Sequence, residues 1–411
     1  VLAVLIVVIM RRAFPQFRTL QGKLDALNSC IQEGLVGIRL IKSFVRGDYE
    51  EMRFEKRNQQ LKEANLTAMK TMLLYTPLMT LALNITTVVV VWSGGNMIVA
   101  GNMQVGDLTA FTNYIVQIMS SLTMLSIAFL NWARAIASFR RVGEVLDEKI
   151  DLTDENAKHK DRAVCEGSVE FQNVSFRYYK NSPEWVIENI SFKLEAGKTL
   201  GIIGPTGSGK STLVSMIPRL YDTDEGTVLV DGINVRDYGL KPLREGIGMV
   251  LQNNTLFSGS ITENLKWGDE HADEKAVRKA AQNAQAAGFI DSFKDGYRTR
   301  LEQSGNNVSG GQKQRLCIAR ALLKCPKILI LDDSTSAVDT ATERAIREAL
   351  HSEYKDMTKI IIAQRIRSVM DADEILVLDN GKTAGFGTHE QLLADCPVYR
   401  EIYDVQNGRE E

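Results

Sequence analysis

The chain has 411 residues, 44% of them hydrophobic, with 49 Lys and Arg against 51 Asp and Glu for a net charge of −2. That length holds two or three domains, and the apolar share supplies both a soluble core and membrane segments, while near-neutrality argues against a nucleic-acid partner held by a broad basic face. The five cysteines (Cys30, Cys165, Cys317, Cys325, Cys396) are odd in number and lack short paired spacing. They read as reduced thiols in a cytosolic setting, with neither a disulfide nor a zinc site indicated.

The chain begins at Val1 inside an apolar run to Met10, with no basic segment ahead of it. This is not the pattern of a signal peptide. Ten apolar residues are too few to cross a bilayer, so the run is expected to be the end of a membrane helix that starts upstream, with a short core helix as the alternative. After Arg11, Arg12 and Arg18 a polar stretch of helical periodicity reaches about Thr67, weakened at Gly34, Gly37 and Gly47. It predicts a polar helical hairpin outside the membrane.

Met72 to Trp92 and Leu108 to Ala133 contain no charged residue, and each is long enough to cross about 30 Å of hydrocarbon. Lys70 precedes the first, while Arg134, Arg140 and Arg141 follow the second; the connector from Ser93 to Asp107 has no Lys or Arg. The excess of positive charge places the connector outside and both flanks in the cytoplasm. Pro77, Asn84, Asn113, Gln117 and Asn131 are polar or helix-bending positions within the spans, suited first to bonding neighbouring helices and second to a substrate path. Neither span holds an acid or base, so no proton relay is supported.

From Val142 to about Arg162 the composition turns charged and loses its apolar period, the mark of a linker. A soluble domain begins near Cys165. Val169, Phe171 and Val174 to Phe176 are predicted as edge strands. Further buried strands are predicted at Gly246 to Leu251, Lys327 to Leu331, Lys359 to Ile362 and Glu374 to Leu378. Helical patterns between them imply a parallel sheet flanked by helices, with a mostly helical insertion from about Thr255 to Leu323.

Leu200 to Ile203 reads as a buried strand that turns through Gly204, Gly207 and Gly209 into a helical pattern at Lys210. Gly204, Thr206, Gly207, Ser208, Gly209, Lys210, Ser211 and Thr212 then form a phosphate cradle. Its glycines allow positive φ and close backbone approach, so that N–H groups and the helix dipole face a polyphosphate. Lys210 would reach the β- and γ-phosphates, and the Ser211 hydroxyl would sit on Mg²⁺. A second apolar strand, Ile328 to Leu331, ends in Asp332 and Asp333, and Asp332 can hold Mg²⁺ opposite the cradle. A third stretch, Val308 to Arg315, opens a helix with apolar positions at Leu316, Ala319 and Leu323. Ser309 can cap it, and Gly310 and Gly311 expose N–H groups that make a second anion site beside Gln312.

The phosphate loop at 204–211, Gln252, the stretch 308–312, Asp332 and Ser336-Ala337-Val338-Asp339 follow one another in an order and spacing that resembles ATP-binding cassette proteins. The resemblance covers essentially the whole chain. Membrane segments fused ahead of the cassette, and Leu256 to Leu265 after Gln252, look like the exporter branch, with six membrane helices per half-transporter. The resemblance implies a partial α-helical membrane domain of exporter type over 1–141. It would comprise the end of a fourth helix, a cytoplasmic loop with a coupling helix at about 28–38 that includes Glu33, a fifth helix at about 69–92 and a sixth at about 108–133. A linker at 142–164 would lead to a nucleotide-binding domain at 165–411, an α/β P-loop NTPase cassette with a parallel-sheet core, an antiparallel β subdomain and a helical subdomain.

The same resemblance implies ATP and Mg²⁺ as cofactors and assigns roles by position. Tyr178 matches the aromatic that stacks on adenine, with Tyr179 as the neighbour it could be confused with. Gln252 matches the residue that links Mg²⁺ and the attacking water to the membrane domain. Ser309, Gly310, Gly311 and Gln312 would contact the γ-phosphate of ATP bound on an opposite subunit. The implied partners are a second half-transporter, the lipid bilayer and a small amphiphilic substrate.

Two positions depart from the family pattern, and both concern hydrolysis. Asp333 stands where a Glu normally orients or deprotonates the attacking water, and misplacement by about 1 Å costs on the order of 10²-fold. Gln364 stands where a His is usual and can neither carry charge nor exchange a proton near neutral pH. Gln303 also occupies a position where Glu is common. The combination resembles the degenerate-site half of a heterodimeric exporter, whose signature completes its partner's site. The leading expectation is an ATP-driven exporter subunit for drug-like or lipid-like amphiphiles. Its alternatives are a nucleotide-sensing regulatory subunit and a slow homodimeric exporter.

Overall fold

The computed structural model describes residues 2–333 and 338–408, in two compact units, one running to Lys149 and one beginning at Ile150. The first unit is helical: α1 (Leu2–Val36), α2 (Ile38–Ser43), α3 (Gly47–Val99) and α4 (Val105–Leu146). α1 and the first half of α3 pair side by side. Their polar sequence finds partners across the seam, with Lys23 Nζ donating to Gln60 Oε1 at 3.1 Å, Thr71 Oγ1 to Gln16 Oε1 at 2.7 Å, and Arg53 in an ion pair with Glu33.

The turn of this hairpin differs from the expectation. Residues 28–36 are the last turns of α1, and the chain reverses through Gly37, the short α2 and Val45, whose φ is +53°. A single Gly34 inside a helical run is tolerated at about 1 kcal/mol, so it does not end α1. The coupling helix expected at about 28–38 therefore corresponds to no separate element, and the separate short helix is α2.

α3 is also longer than expected. It passes Pro77 and continues through Ser93, Gly94 and Gly95 to Val99. Among the described residues, Thr80–Val99 is long and apolar enough to cross a membrane, a window displaced along the chain from Met72 to Trp92. Gly94 lies against α4, where an added Cβ would come within 2.5 Å of Leu108, so the glycine serves close helix packing. Leu81, Ile85, Val88, Val89 and Trp92 point outward and are exposed, an arrangement that suits hydrocarbon. The hydroxyls of Thr86, Thr87 and Thr112 donate to carbonyls four residues back, so they need no partner helix. Asn84, Asn113 and Gln117 are exposed; the Asn131 side chain lies outside the description.

The second unit holds the strands β1 (Val169–Phe176), β2 (Ile187–Leu194), β3 (Thr199–Ile203), β4 (Glu225–Val230), β5 (Ile233–Asn234), β6 (Ile247–Val250), β7 (Gly259–Ser260), β8 (Arg300–Leu301), β9 (Ile328–Asp332), β10 (Thr358–Ile362), β11 (Glu374–Asp379) and β12 (Lys382–Gly387). Its helices are α5 (Lys210–Ser215), α6 (Leu240–Glu245), α7 (Ile261–Leu265), α8 (Glu274–Asn283), α9 (Ala287–Ser292), α10 (Gly310–Leu323), α11 (Thr340–Glu353), α12 (His389–Asp395) and α13 (Pro397–Asn407). A six-stranded sheet runs β12-β11-β3-β10-β9-β6, parallel except for the antiparallel edge strand β12. An antiparallel sheet runs β2-β1-β4-β5. The expectation of edge strands at 169–176 is corrected: β1 pairs with both β2 and β4, because its Phe171 stacks on Phe192 at 4.7 Å and its apolar face enters the core.

β9 is buried at every position, as a parallel strand covered on both faces must be, and its unbroken apolar run follows from that. The register aligns the strand ends: Ile362 lies beside both Ile202 and Asp332. The residues after β3, β9 and β10 therefore emerge together at one edge of the sheet, where ligands of open α/β sheets bind. The expected linker starts later than Val142, since α4 runs to Leu146 with Arg140 and Glu144 paired one turn apart. Its later part is tied to the second unit, where Leu240 N–H donates to Asp154 and His159 N–H to the Asp237 carbonyl. Asp231 gathers four successive N–H groups, from Cys165 to Ser168, at 2.7–3.1 Å.

Candidate functional site

The loop after β3 is shaped by its glycines. Gly204 has φ +155°, and a Cβ there would lie 2.0 Å from the Leu378 carbonyl oxygen of β11, so no side chain fits. Gly207 and Gly209 have φ +86° and +91°, and Gly209 is the cap residue immediately before α5. Lys210 Nζ turns back over the loop and donates to the Gly204 carbonyl at 2.8 Å, the Pro205 carbonyl at 2.7 Å and Ser208 Oγ at 3.4 Å. Burial lowers its pKa, and the carboxylates of Asp332 and Asp333 oppose that shift. The ammonium thus rests on loop carbonyls that a polyphosphate would replace as its partner.

Tyr178 reaches the start of α5, with its hydroxyl 2.9 Å from Thr212 Oγ1. Its ring makes T-shaped contacts with Phe176 and Tyr221, at 5.1 and 5.3 Å between centroids, and it remains 49% exposed. A half-exposed aromatic ring beside a phosphate loop offers stacking surface to a flat aromatic ligand. Tyr179 is 79% exposed.

Asp332 ends β9 and is 4% exposed. Burial raises its pKa, the Asp333 carboxylate adds to the rise, and a hydrogen bond from Ser211 together with Lys210 counters it. Ser211 and Asp332, more than a hundred residues apart in the chain, are thus near enough for the hydroxyl to act on the carboxylate. Hard oxygen donors around a buried carboxylate crowded by a second one fit a divalent cation. Among the described residues no group of three or more His, Cys, Asp or Glu could hold a metal, so such a cation would draw the rest of its ligands from phosphate and water, as Mg²⁺ commonly does.

Asp333 has φ +46°; its N–H donates to the Ile362 carbonyl at 3.0 Å and its backbone carbonyl accepts from Gln314 Nε2 at 3.4 Å. Its Oδ2 accepts from Gln364 Nε2 at 2.8 Å. Burial raises the Asp333 pKa, against the Gln364 hydrogen bond and the charges of Lys210 and Arg365. The two departures from the family pattern thus face and bond each other. Gln364 is in turn held from behind: its carbonyl accepts from Gln406 Nε2 at 2.8 Å, and Gln406 Oε1 accepts from Ile366 N–H at 2.8 Å. Neither Gln406 nor Arg365 was singled out from the sequence, since Gln406 sits in a helix near the end of the chain with no motif around it.

Ser309 caps α10 as expected. Its Oγ accepts from Gln312 N–H at 3.3 Å and its own N–H donates to Gln312 Oε1 at 2.9 Å, leaving the first-turn N–H groups of Gly310 and Gly311 as donors without intrahelical partners. Gln252 is exposed in the loop after β6, whose Val250 lies beside Leu331 of β9. Among the described residues, no hydrogen bond joins Gln252 or Ser309 to Gln312 to the cluster formed by the loop, Tyr178, Asp332, Asp333 and Gln364. Ser336 and Ala337 lie outside the described residues; Asp339 caps α11 by accepting Thr342 N–H at 3.0 Å.

Comparison with known proteins places the whole chain in one context. Residues 187–336 match the model of the ABC transporter family, and residues 1–122 match that of the ABC transporter transmembrane region. The uncharacterized ABC transporter ATP-binding protein YfiB of Bacillus subtilis is 42% identical over 402 residues, covering 98% of this chain and 69% of that protein. The putative multidrug export ATP-binding/permease protein YgaD of the same organism is 38% identical over 92% of this chain and 65% of its own length. The structure of a bacterial Atm1-family ABC exporter with ATP bound superposes with a TM-score of 0.86 at 29% identity, covering 98% of this chain and 70% of that one.

Proposed function

Because the chain belongs to the ABC transporter family, as an exporter half that joins a multi-pass membrane region to a cytoplasmic ATP-binding cassette, we propose that it retains MgATP at its own site and lends Ser309 to Gln312 to the nucleotide of a second, different half-transporter. The observation that carries this reading is the 2.8 Å bond between Gln364 and Asp333. Hydrolysis needs a group that orients or deprotonates water beside the γ-phosphate. Here the carboxylate is one methylene shorter than a Glu, and the facing residue is a carboxamide that cannot accept a proton near neutral pH. The binding machinery carries no such departure.

In this reading the loop N–H groups from Gly204 to Ser211 hold the phosphates, Lys210 leaves its carbonyl partners for the β- and γ-phosphates, and Thr212 and Tyr178 frame the nucleoside end. Ser211, Asp332 and Gln252 would hold Mg²⁺, which when bound neutralises charge on the phosphates. Gly310 and Gly311 keep first-turn N–H groups for an anion brought by another chain. The substrate class we propose is a drug-like or lipid-like amphiphile; the multidrug name of one relative and the exposed Asn84, Asn113 and Gln117 support it.

The test is enzymatic. Purified alone in lipid, the chain should hydrolyse ATP slowly, and the pair Asp333→Glu with Gln364→His in the assembled transporter should raise turnover at this site. Vigorous hydrolysis by a homodimer, or no gain from the double substitution, would refute the asymmetric reading. Failure of substrate to crosslink at Asn84, Asn113 or Gln117 would point instead to a nucleotide-sensing subunit.

A further inference from the structure

We infer that Gln406, on the C-terminal helix α13, is a positioning residue that sets the geometry of Gln364 at the nucleotide site. The inference rests on the proposed placement of Gln364 beside the γ-phosphate. Helix α13 packs through Tyr399, which is fully buried, and through Ile402 and Tyr403, against a cluster that includes Ala363 and Ile366. Gln406 falls seven residues after Tyr399 and four after Ile402, on the same helical face. The packing that anchors α13 therefore aims Gln406 at the segment leaving β10.

Gln406 uses both ends of its amide there. The Nε2 group donates to the Gln364 carbonyl and Oε1 accepts from Ile366 N–H, each at 2.8 Å. This donor and acceptor pair on alternate main-chain positions is what a neighbouring strand would supply. On the other side the sheet holds the segment up to Ala363, whose N–H donates to the Ile202 carbonyl at 3.2 Å. The segment is thus held by the sheet through Ala363 and by Gln406 through the Gln364 carbonyl and the Ile366 N–H, and the Gln364 side chain is directed at Asp333. A carboxamide has no charge to hold it to a phosphate, so its aim comes from its bond to Asp333 and from the backbone that carries it. The clamp sets the backbone part of that aim, and a shift of α13 would change how the site holds its nucleotide.

The experiment measures release of nucleotide from this chain in the assembled transporter. A photoactivatable ATP analogue is loaded with Mg²⁺, chased with unlabelled ATP, and crosslinked to this chain at successive times. Gln406→Ala should speed release roughly ten-fold, the worth of one or two ordinary hydrogen bonds, without changing the initial rate of loading. Gln406→Met, which keeps the length and the packing but makes neither bond, should match it and guards against misfolding. Gln406→Glu should stay impaired, because a carboxylate cannot donate to the Gln364 carbonyl. In a Gln364→Ala background, which is itself fast, Gln406→Met should add nothing.

If Gln364→Ala speeds release and Gln406→Met does not, the inference fails while the reading of the site stands. If neither changes release, both fall. If Gln406→Met has the same effect with and without Gln364, Gln406 acts through something other than Gln364 and the inference is overturned.

Discussion

Replacing Gly204 by alanine should damage the nucleotide site far more than replacing Gly207, although both are glycines of one loop. At Gly204 an added Cβ would sit 2.0 Å from the Leu378 carbonyl oxygen and 3.0 Å from Ser208 Oγ, and the backbone has φ +155°. At Gly207 φ is +86° and nothing lies within 4 Å of the added atom. The second substitution costs only the conformational penalty, about 1–2 kcal/mol. The first carries a similar penalty plus overpacking against a fixed strand, about 1–3 kcal/mol more. β11 cannot yield, since it is paired on both sides, so the loop must move away from it. If the extra cost falls on the bound conformation, ATP affinity drops roughly five- to 150-fold further for Gly204→Ala than for Gly207→Ala. Titration of the reconstituted chain with a fluorescent ATP analogue, alongside thermal unfolding with and without ATP, reads both numbers. Equal losses for the two variants would show that the approach of the loop to β11 does not govern binding.

Acidity offers a second handle. The pKa values of Asp332 and Asp333 are raised chiefly by burial, so the folded chain holds these protons more tightly than the unfolded chain does. Their contribution to stability is then full below the ordinary carboxylate range and is lost as pH rises through the elevated range. In chelator-treated, nucleotide-free protein, Asp332→Asn should match the wild type near about pH 4 and unfold at a higher temperature near about pH 7; a difference independent of pH in thermal scans refutes this account. At the open face of the site, Tyr178→Ala should weaken ATP binding roughly ten-fold, the scale of one base-stacking contact, while Tyr178→Phe and Tyr179→Ala stay near the wild type. A loss at Tyr179 in the same titration would transfer the stacking role to it.

Much of the site was legible because its parts are local. A strand, a turn that needs positive φ and a helix start occupy a dozen consecutive residues from Leu200 to Thr212, and each residue type there answers a backbone requirement. The cap at Ser309 was legible for the same reason: its partner Gln312 is three residues away. The turn of the helical hairpin lies later than the expected 28–38 because a single glycine is a weak signal: Gly34 stays within α1, and the chain leaves that helix at Gly37. Edge and interior positions of β1 were likewise beyond the sequence, since alternation describes which face is buried and not how many neighbours pair.

The sequence by itself determined that this chain joins apolar spans to a phosphate-binding α/β unit, and that Asp333 and Gln364 depart from the pattern of its family. Tertiary structure alone decided that those two residues bond each other and that Gln406 stands behind them. The physical reason is sequence separation. Asp333 and Gln364 lie just beyond the ends of neighbouring parallel strands, brought into register by hydrogen bonds between β9 and β10. Gln406 arrives on a helix whose apolar face, not its polar end, fixes where it lies.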